Sequence, residues 1–272
     1  MDSNYEAEIA DDATYYAQFT DPSFSPGWAK TPRLYNECMP TVPEPDEYVD
    51  YPLTFEDQCG VVDTICRSDG RELVFSLRGC TFRGQCFDFL DVDGSDLAGL
   101  SANQFSFDQY GDVQGCFTIT VPVGIVGGTE SSAVVVMSFD YRNGGNLVGG
   151  MLTVDGAAYQ VAGKDDAESC LIGLQRQLPP GVFLRCCLSC RWSHYTPGGN
   201  GDFGDLGCFV DWPGAADIAS KIDTFHAWDD ARRHDQVVRM QETWSCPRFR
   251  LLNLGEWAYK DWDWGVYGRT NG

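Results

Sequence analysis

GCFTITVPVGIV (115–126), SAVVVMSFDY (132–141), LVGGMLTVDG (147–156) and AAYQVAG (157–163) decide the fold class. Each run is short and rich in β-branched and aromatic residues. Several alternate apolar with polar positions, which is the period-2 pattern of a strand with one face on a core. Turn residues separate them: RNGGN at 142–146, and Asp155-Gly156, which predicts a two-residue hairpin turn. RELVFSLRG (71–79), TFRGQCFDFL (81–90) and FSFDQYG (105–111) read the same way, with SDG (68–70) and DVDG (91–94) as punctuation. Short strands with regular turn signals predict an antiparallel β-rich body, sandwich-like or a curled sheet.

After this body the periodicity changes. Leu171, Leu174 and Leu178 recur at three and four residues, Asp165 or Asp166 stands ready to cap, and Pro179-Pro180 stops the run, so a helix is expected here. GVFLRCCLSC (181–190) reads as a short strand entering a turn. ADIASKIDTFHAWDDARR (216–233) predicts a helix with Ile218, Ile222 and Phe225 on one face, the alternative being that Thr224 or Asp223 starts a second, shorter helix. VVRMQETW (237–244) reads as a strand that delivers Cys246, and the aromatic tail EWAYKDWDWGVYG (256–268) is expected to pack back. The fold class is α+β: a β-rich domain over 51–180 ending in a helix, then a small four-cysteine metal-bound module over 181–272 with one or two helices, zinc-ribbon-like and packed on it. Residues 1–50 are acidic and proline-bearing and read as an N-terminal extension.

Composition narrows the function classes. The 272 residues suffice for a hydrophobic core, and an aromatic content of 13% argues against overall disorder. There is no run of eighteen apolar residues, so no membrane span is expected. The N-terminus, MDSNYEAEIADDATYY, lacks a basic region and an apolar stretch, so no signal peptide is expected and the cytoplasm is the expected compartment. A formal charge of −21 repels phosphates, which argues against a nucleic-acid backbone as partner. The same charge serves solubility, and it suits a basic protein partner or mimicry of nucleic acid. Twelve cysteines in a reducing compartment are expected to be free, buried or metal-bound. Cys80, Cys86, Cys116 and Cys170 sit in apolar segments and read as core thiols.

Cys187 and Cys190 form a C-x2-C, Cys208 ends the glycine-rich stretch GGNGDFGDLGC, and Cys246 sits in ETWSCP. A two-residue gap lets two thiolates bind one ion from a single turn, and two further thiolates complete the tetrahedron of a structural zinc site. The competing readings are iron–sulfur ligation, which lacks a clustered cysteine run here, and unligated core thiols. Cys186 points the other way in an extended chain and reads as a spectator; His194 is a candidate replacement for one thiolate. A redox C-x2-C normally opens a helix, and RWSHYTPGG is a poor helix start.

Three strings resemble an uncharacterised bacterial family of unknown function: LQRQLPPGVFLRCCLSCRWSHYTPGGNGDFGDLGCF, the isolated Lys221, and QETWSCPRF. The residues that carry the resemblance include Cys187, Cys190, Ser193, Tyr195, Pro197, Gly198, Gly204, Cys208, Phe209, Gln241, Glu242, Thr243, Cys246 and Pro247. His194 stands where the family has an acid, and Arg248 where it has Glu. The resemblance extends weakly back to about residue 51 and implies no activity.

Other candidate chemistry is weaker. GGNGDFGDLG lacks the Lys-Ser/Thr of a phosphate loop, and Asp202 and Asp205 would repel phosphate. Asp91, Asp93 and Asp96 in DVDGSD lack the glycine position and the distal Glu of a calcium loop. Gln241 and Glu242 read as polar support for the ligand-bearing turns. His226 and His234 read as surface residues. The leading expectation is a non-catalytic, zinc-stabilised, acidic cytoplasmic protein that acts through protein–protein interaction, neutralising or regulating a basic partner. The alternative is a metal- or thiol-dependent enzyme using the cysteine module with His194 and Glu242.

Overall fold

Phe117, Ile119, Val121, Val123 and Ile125 all turn inward from one strand, β8 (Cys116–Val126), and the residues between them turn out. A computed structural model describes residues 48–88, 90–92, 105–107, 113–128, 132–142, 147–197, 203–253 and 255–262. Pro45–Gly272 form one compact unit. Most of the extension expected over residues 1–50 lies outside the described residues; Val49 and Asp50 open the first strand.

The main sheet is antiparallel and ten-stranded. In chain order its strands are β1 (Val49–Asp57), β2 (Gly60–Ser68), β3 (Leu73–Leu77), β4 (Cys80–Gly84), β5 (Leu90–Val92), β8, β9 (Ser132–Asp140), β10 (Leu147–Val154), β11 (Ala157–Lys164) and β12 (Phe183–Arg185). Their spatial order is β11-β10-β9-β8-β1-β2-β3-β4-β5, with β12 on β8. β8 is long enough to serve two neighbours on one edge. Its residues 116–119 pair with β1, and 124–126 pair with β12. A separate two-stranded ribbon joins β6 (Ser106–Phe107) to β7 (Val113–Gln114).

Local chemistry explains the connections. Val154 pairs with Ala157, and Asp155 and Gly156 take φ of 49° and 74°, the positive values a two-residue primed turn needs. Helix α1 (Ala167–Gln175) is capped by Asp166, whose Oδ1 accepts from the Ser169 N–H at 2.6 Å. The helix lies close against β10. A Cβ on Gly150 would meet the Cys170 Sγ at 2.6 Å, so only glycine lets helix and strand approach this far.

The inner face of the sheet carries an aromatic core. Phe117 packs on Phe55 and Phe87 with ring centroids 4.8 Å and 4.9 Å away, and Phe87 reaches Phe139 at 5.1 Å. Cys80, Cys86 and Cys170 are buried among the apolar side chains, and Cys116 is half-buried. The same core runs into the cysteine-bearing segments through Tyr195, Phe203, Leu206, Leu252 and Trp262.

Those segments contain little regular structure: β13 (Ser193–His194), β14 (Leu206–Cys208) and β15 (Val238–Met240) form a three-stranded sheet. A 3-10 turn (Ala215–Asp217) breaks before helix α2 (Lys221–Arg233), which Ser220 caps. This splits the helix expected over 216–233. Its buried face is Thr224, Ala227, Trp228 and Ala231, whereas Ile222 is 55% exposed. A smaller second core of Phe209, Ile218, Trp228 and their neighbours forms under this helix.

Candidate functional site

The C-x2-C turn is closed on itself and pinned on both sides. The Cys190 N–H donates to the Cys187 carbonyl at 3.0 Å. On one side, the Cys187 N–H donates to the Trp244 carbonyl at 2.6 Å and the Leu188 N–H to the Glu242 carbonyl at 3.0 Å. On the other, Cys190 bridges to Leu251, and the Leu252 N–H donates to the Ser189 carbonyl. Cys246 enters from the same segment, at the head of a turn in which the Phe249 N–H donates to the Cys246 carbonyl at 3.1 Å. Cys208 arrives separately, at the end of β14 opposite Ser193.

These three segments bring the four thiols within electrostatic reach of one another. Burial pushes the Cys187 thiol well up, and Cys208, Cys190, Cys186 and Cys246 add to the shift because neighbouring thiolates repel. Burial likewise lifts Cys208 to about 11, with Cys190 and Cys246 again adding; the Val210 N–H at the Cys208 thiol works the other way. All four are free thiols. Among the described residues, no three His, Cys, Asp or Glu side chains are disposed as a ready metal-binding group. The donor chemistry nevertheless fits one soft cation: four sulfurs from three segments, no competing disulfide, and backbone turns that place both members of the C-x2-C on one side.

A half-buried cation stands beside them. Lys260 donates its Nζ to the Cys190 carbonyl and, at 2.7 Å, to the Ser193 Oγ. Burial draws its pKa down to about 8, while Cys190, Cys187, Glu168 and Cys186 pull toward the charged form. Glu168, on α1, is itself pushed up to about 7 by burial and accepts from the Asp261 N–H at 2.6 Å. Lys260 escaped the reading of the sequence. The available signal was its rarity, since it is one of only four lysines and sits in an aromatic tail.

Glu242 is fully buried, and burial raises it to about 8. One oxygen accepts from the Tyr195 hydroxyl at 3.0 Å and the other from the Gly204 N–H at 2.7 Å. Gln241 accepts from the Ser68 hydroxyl at 2.9 Å and donates its N–H to the Gly70 carbonyl at 2.7 Å. A Cβ on Gly70 would collide with the Trp244 indole. The QETW stretch therefore clasps the β2–β3 turn and the loop before β14. His194 is buried too. Its Nδ1 accepts from the Tyr259 N–H at 3.2 Å, its Nε2 finds no hydrogen-bond partner among the described residues, and burial holds it well below its usual pKa. Its charged neighbours include Lys260 and Arg191.

The remaining candidates scatter. Cys186 is fully buried and turns toward Ser189, with its Sγ 3.9 Å from the Ser189 Oγ. Arg248 pairs with Asp211, and Asp205 pairs with Arg239 at 2.9 Å. Asp91 lies in β5 opposite Arg83, while Asp93, Asp96, Gly198 and Asp202 lie outside the described residues. His226 lines a shallow cleft with Trp212, Asp217, Asp223 and Asp230, and neither Glu242 nor His194 reaches it. No described helix is long and apolar enough to cross a membrane.

Neither a curated protein nor a solved structure matches this chain. A family model does, over residues 49–193; it takes in the β-rich body, α1 and the C-x2-C turn, and ends before Cys208. The chain belongs to this family, the Family of unknown function (DUF6304).

Proposed function

We propose that Cys187, Cys190, Cys208 and Cys246 hold one structural zinc ion. In this reading the protein is a non-catalytic, acidic cytoplasmic binding module whose partner is a basic protein. What supports the proposal is that Cys187 lies within electrostatic reach of Cys208, Cys190 and Cys246, as well as Cys186, and that these free thiols come from three separate segments. Packing four neutral thiols together gains little, whereas binding free energy at such a site is folding free energy. Lys260 fits the same reading. A divalent ion with four thiolates carries net negative charge, and a half-buried ammonium on the Cys190 carbonyl would offset it.

The interaction half rests on charge and on how the polar groups are used. The chain carries −21, which steers basic partners toward it. Glu242 spends both oxygens on Tyr195 and Gly204, as a fastening residue does. Elemental analysis of protein purified without added metal tests the ion: about one zinc per chain is expected from a one-ion site. Less than about 0.2 zinc per chain, with unchanged stability in Cys190→Ser, would sink it. Affinity capture from the native host at low and high salt tests the partner. A basic protein held at low salt and released at high salt is expected. Capture of no basic protein at either salt removes the interaction half and leaves the metal half standing.

A further inference from the structure

The cations around the thiols are not all alike. Arg248 feels Cys208 and Cys246, and Arg191 feels Cys190, but each is already matched: Arg248 by Asp211, and Arg191 by Glu256 at 3.8 Å. Two others stand differently. Arg185, on β12, stacks on the Phe249 ring at 5.1 Å and donates from Nη2 to the Cys246 carbonyl at 3.1 Å. Lys260, in the tail, donates from Nζ to the Cys190 carbonyl. Both are half-buried, and neither pairs with a carboxylate among the described residues, although the chain carries −21. Glu168 faces Lys260 from α1, yet the Cys190 and Cys187 thiols act on it more strongly. Cys190 and Cys246 lie on different ligand-bearing segments, so each turn presents its own carbonyl to a cation that comes from elsewhere in the chain.

We propose that Arg185 and Lys260 are positioning residues for the ion: each grips the carbonyl of one ligand-bearing turn, and together they match the charge of a four-thiolate centre. Charge balance is the argument. A half-buried cation without a counter-charge is costly. Four neutral thiols offer it none. One divalent ion with four thiolates carries two negative charges, and Arg185 with Lys260 supplies two positive ones, so the balance closes at zero. Three thiolates with a neutral histidine would leave one cation in excess. The inference rests on the four-cysteine reading above. It adds that the site is completed from outside its own turns, by the ten-stranded sheet through β12 and by the tail through Lys260. Residues that orient ligands and tune the charge around an ion typically change its affinity by about 10–100-fold.

Competition for zinc between the full chain and a chelator of known affinity is the test. Arg185→Gln and Lys260→Gln each keep an amide donor and lose the charge. Each should weaken zinc binding by about tenfold or more. The two together should weaken it by the product, because they grip separate turns. Lys260→Arg keeps the charge and should recover most of the loss, which a role in packing alone would not predict. Arg83→Gln removes the same charge from β4, where it pairs with Glu72, and should leave zinc affinity unchanged. A wild-type chain that binds no zinc overturns the four-cysteine reading and this inference with it. Zinc held by either Gln variant as tightly as by the Arg83→Gln control overturns the two cations and leaves the four cysteines standing. A Lys260→Arg chain as weak as Lys260→Gln does the same. So do Gln variants that lose their fold with zinc present, since the pair would then hold the chain rather than the ion.

Discussion

Phe117 and Glu242 are both fully buried, and they mark two ways in which this chain is held together. Around Phe117 the strands are long, eleven residues in β8 and nine in β9, and alternate side chains meet ring on ring. Around Glu242 the strands are two or three residues long, and the contacts are polar: a carboxylate on a tyrosine and a glycine N–H, a lysine on a carbonyl. Among the described residues, eight of the twelve buried polar or charged ones lie between Ser189 and Thr243, so the cost of burying polarity is concentrated there. A β-rich body can be stable on apolar area alone. The cysteine-bearing segments bury groups that each need a partner, and such a region gains most from an added cross-link such as a metal.

The comparison breaks most visibly at the core. Phe117→Ala should cost about 3–5 kcal/mol in denaturant unfolding, the usual loss for a buried aromatic. A loss below about 1 kcal/mol would show that the ring cluster is not what holds the body.

Next comes the pH response of the polar region. Glu242 has a folded pKa of about 8, raised from 4.5 by burial. Its protonated folded form is therefore favoured, and stability is fully present below the unfolded value. As pH rises between the two values the folded state keeps a proton that the unfolded state has lost, so stability falls, by up to about 1.4 kcal/mol per pH unit. Glu168, raised to about 7, acts in the same direction. Glu242→Gln should flatten the decline between pH 5 and 8 while Phe117→Ala leaves its slope unchanged. Equal slopes in wild type and Glu242→Gln would remove the contrast between the two regions.

A smaller effect sharpens the packing side. Gly150→Ala should cost about 1–3 kcal/mol by overpacking, since its Cβ would press on the Cys170 Sγ. Cys170→Ala in the same chain should recover part of that loss, and thermal unfolding of the single and double variants would show it. The smallest change is at the helix cap, where Asp166→Ala should cost about 1 kcal/mol.

The body was legible because its signals are local. Alternation in 115–163 shows which residues face the core, Asp155-Gly156 marks the turn, and Asp166 and Pro179-Pro180 bound α1. The cysteine-bearing segments were legible only as a spacing. The sequence pattern set Cys186 aside, although it too lies within electrostatic reach of Cys187, and it missed Lys260 nearby, because a lone lysine in an aromatic tail carries no period. The face of α2 was misread as well. Ile222 fits an apolar stripe with Ile218 and Phe225, but the chain breaks at Ser220, and the turn that follows rotates Thr224 and Trp228 inward instead.

The sequence by itself determined the strand-rich character of the body, the alternation along β8 and β9, the Asp155-Gly156 turn and the helix that Asp166 caps, whereas β1 and β2 were not singled out. Backbone sterics and side-chain period act within a few residues, so they are readable along the chain. Only the tertiary structure decided that β1 lies between β2 and β8, that β8 also carries β12, and that Gln241 fastens Ser68 across 173 positions. It also decided that Glu242 serves Tyr195 and Gly204. These choices depend on how distant segments share one core, and no pattern within a single segment encodes its partner.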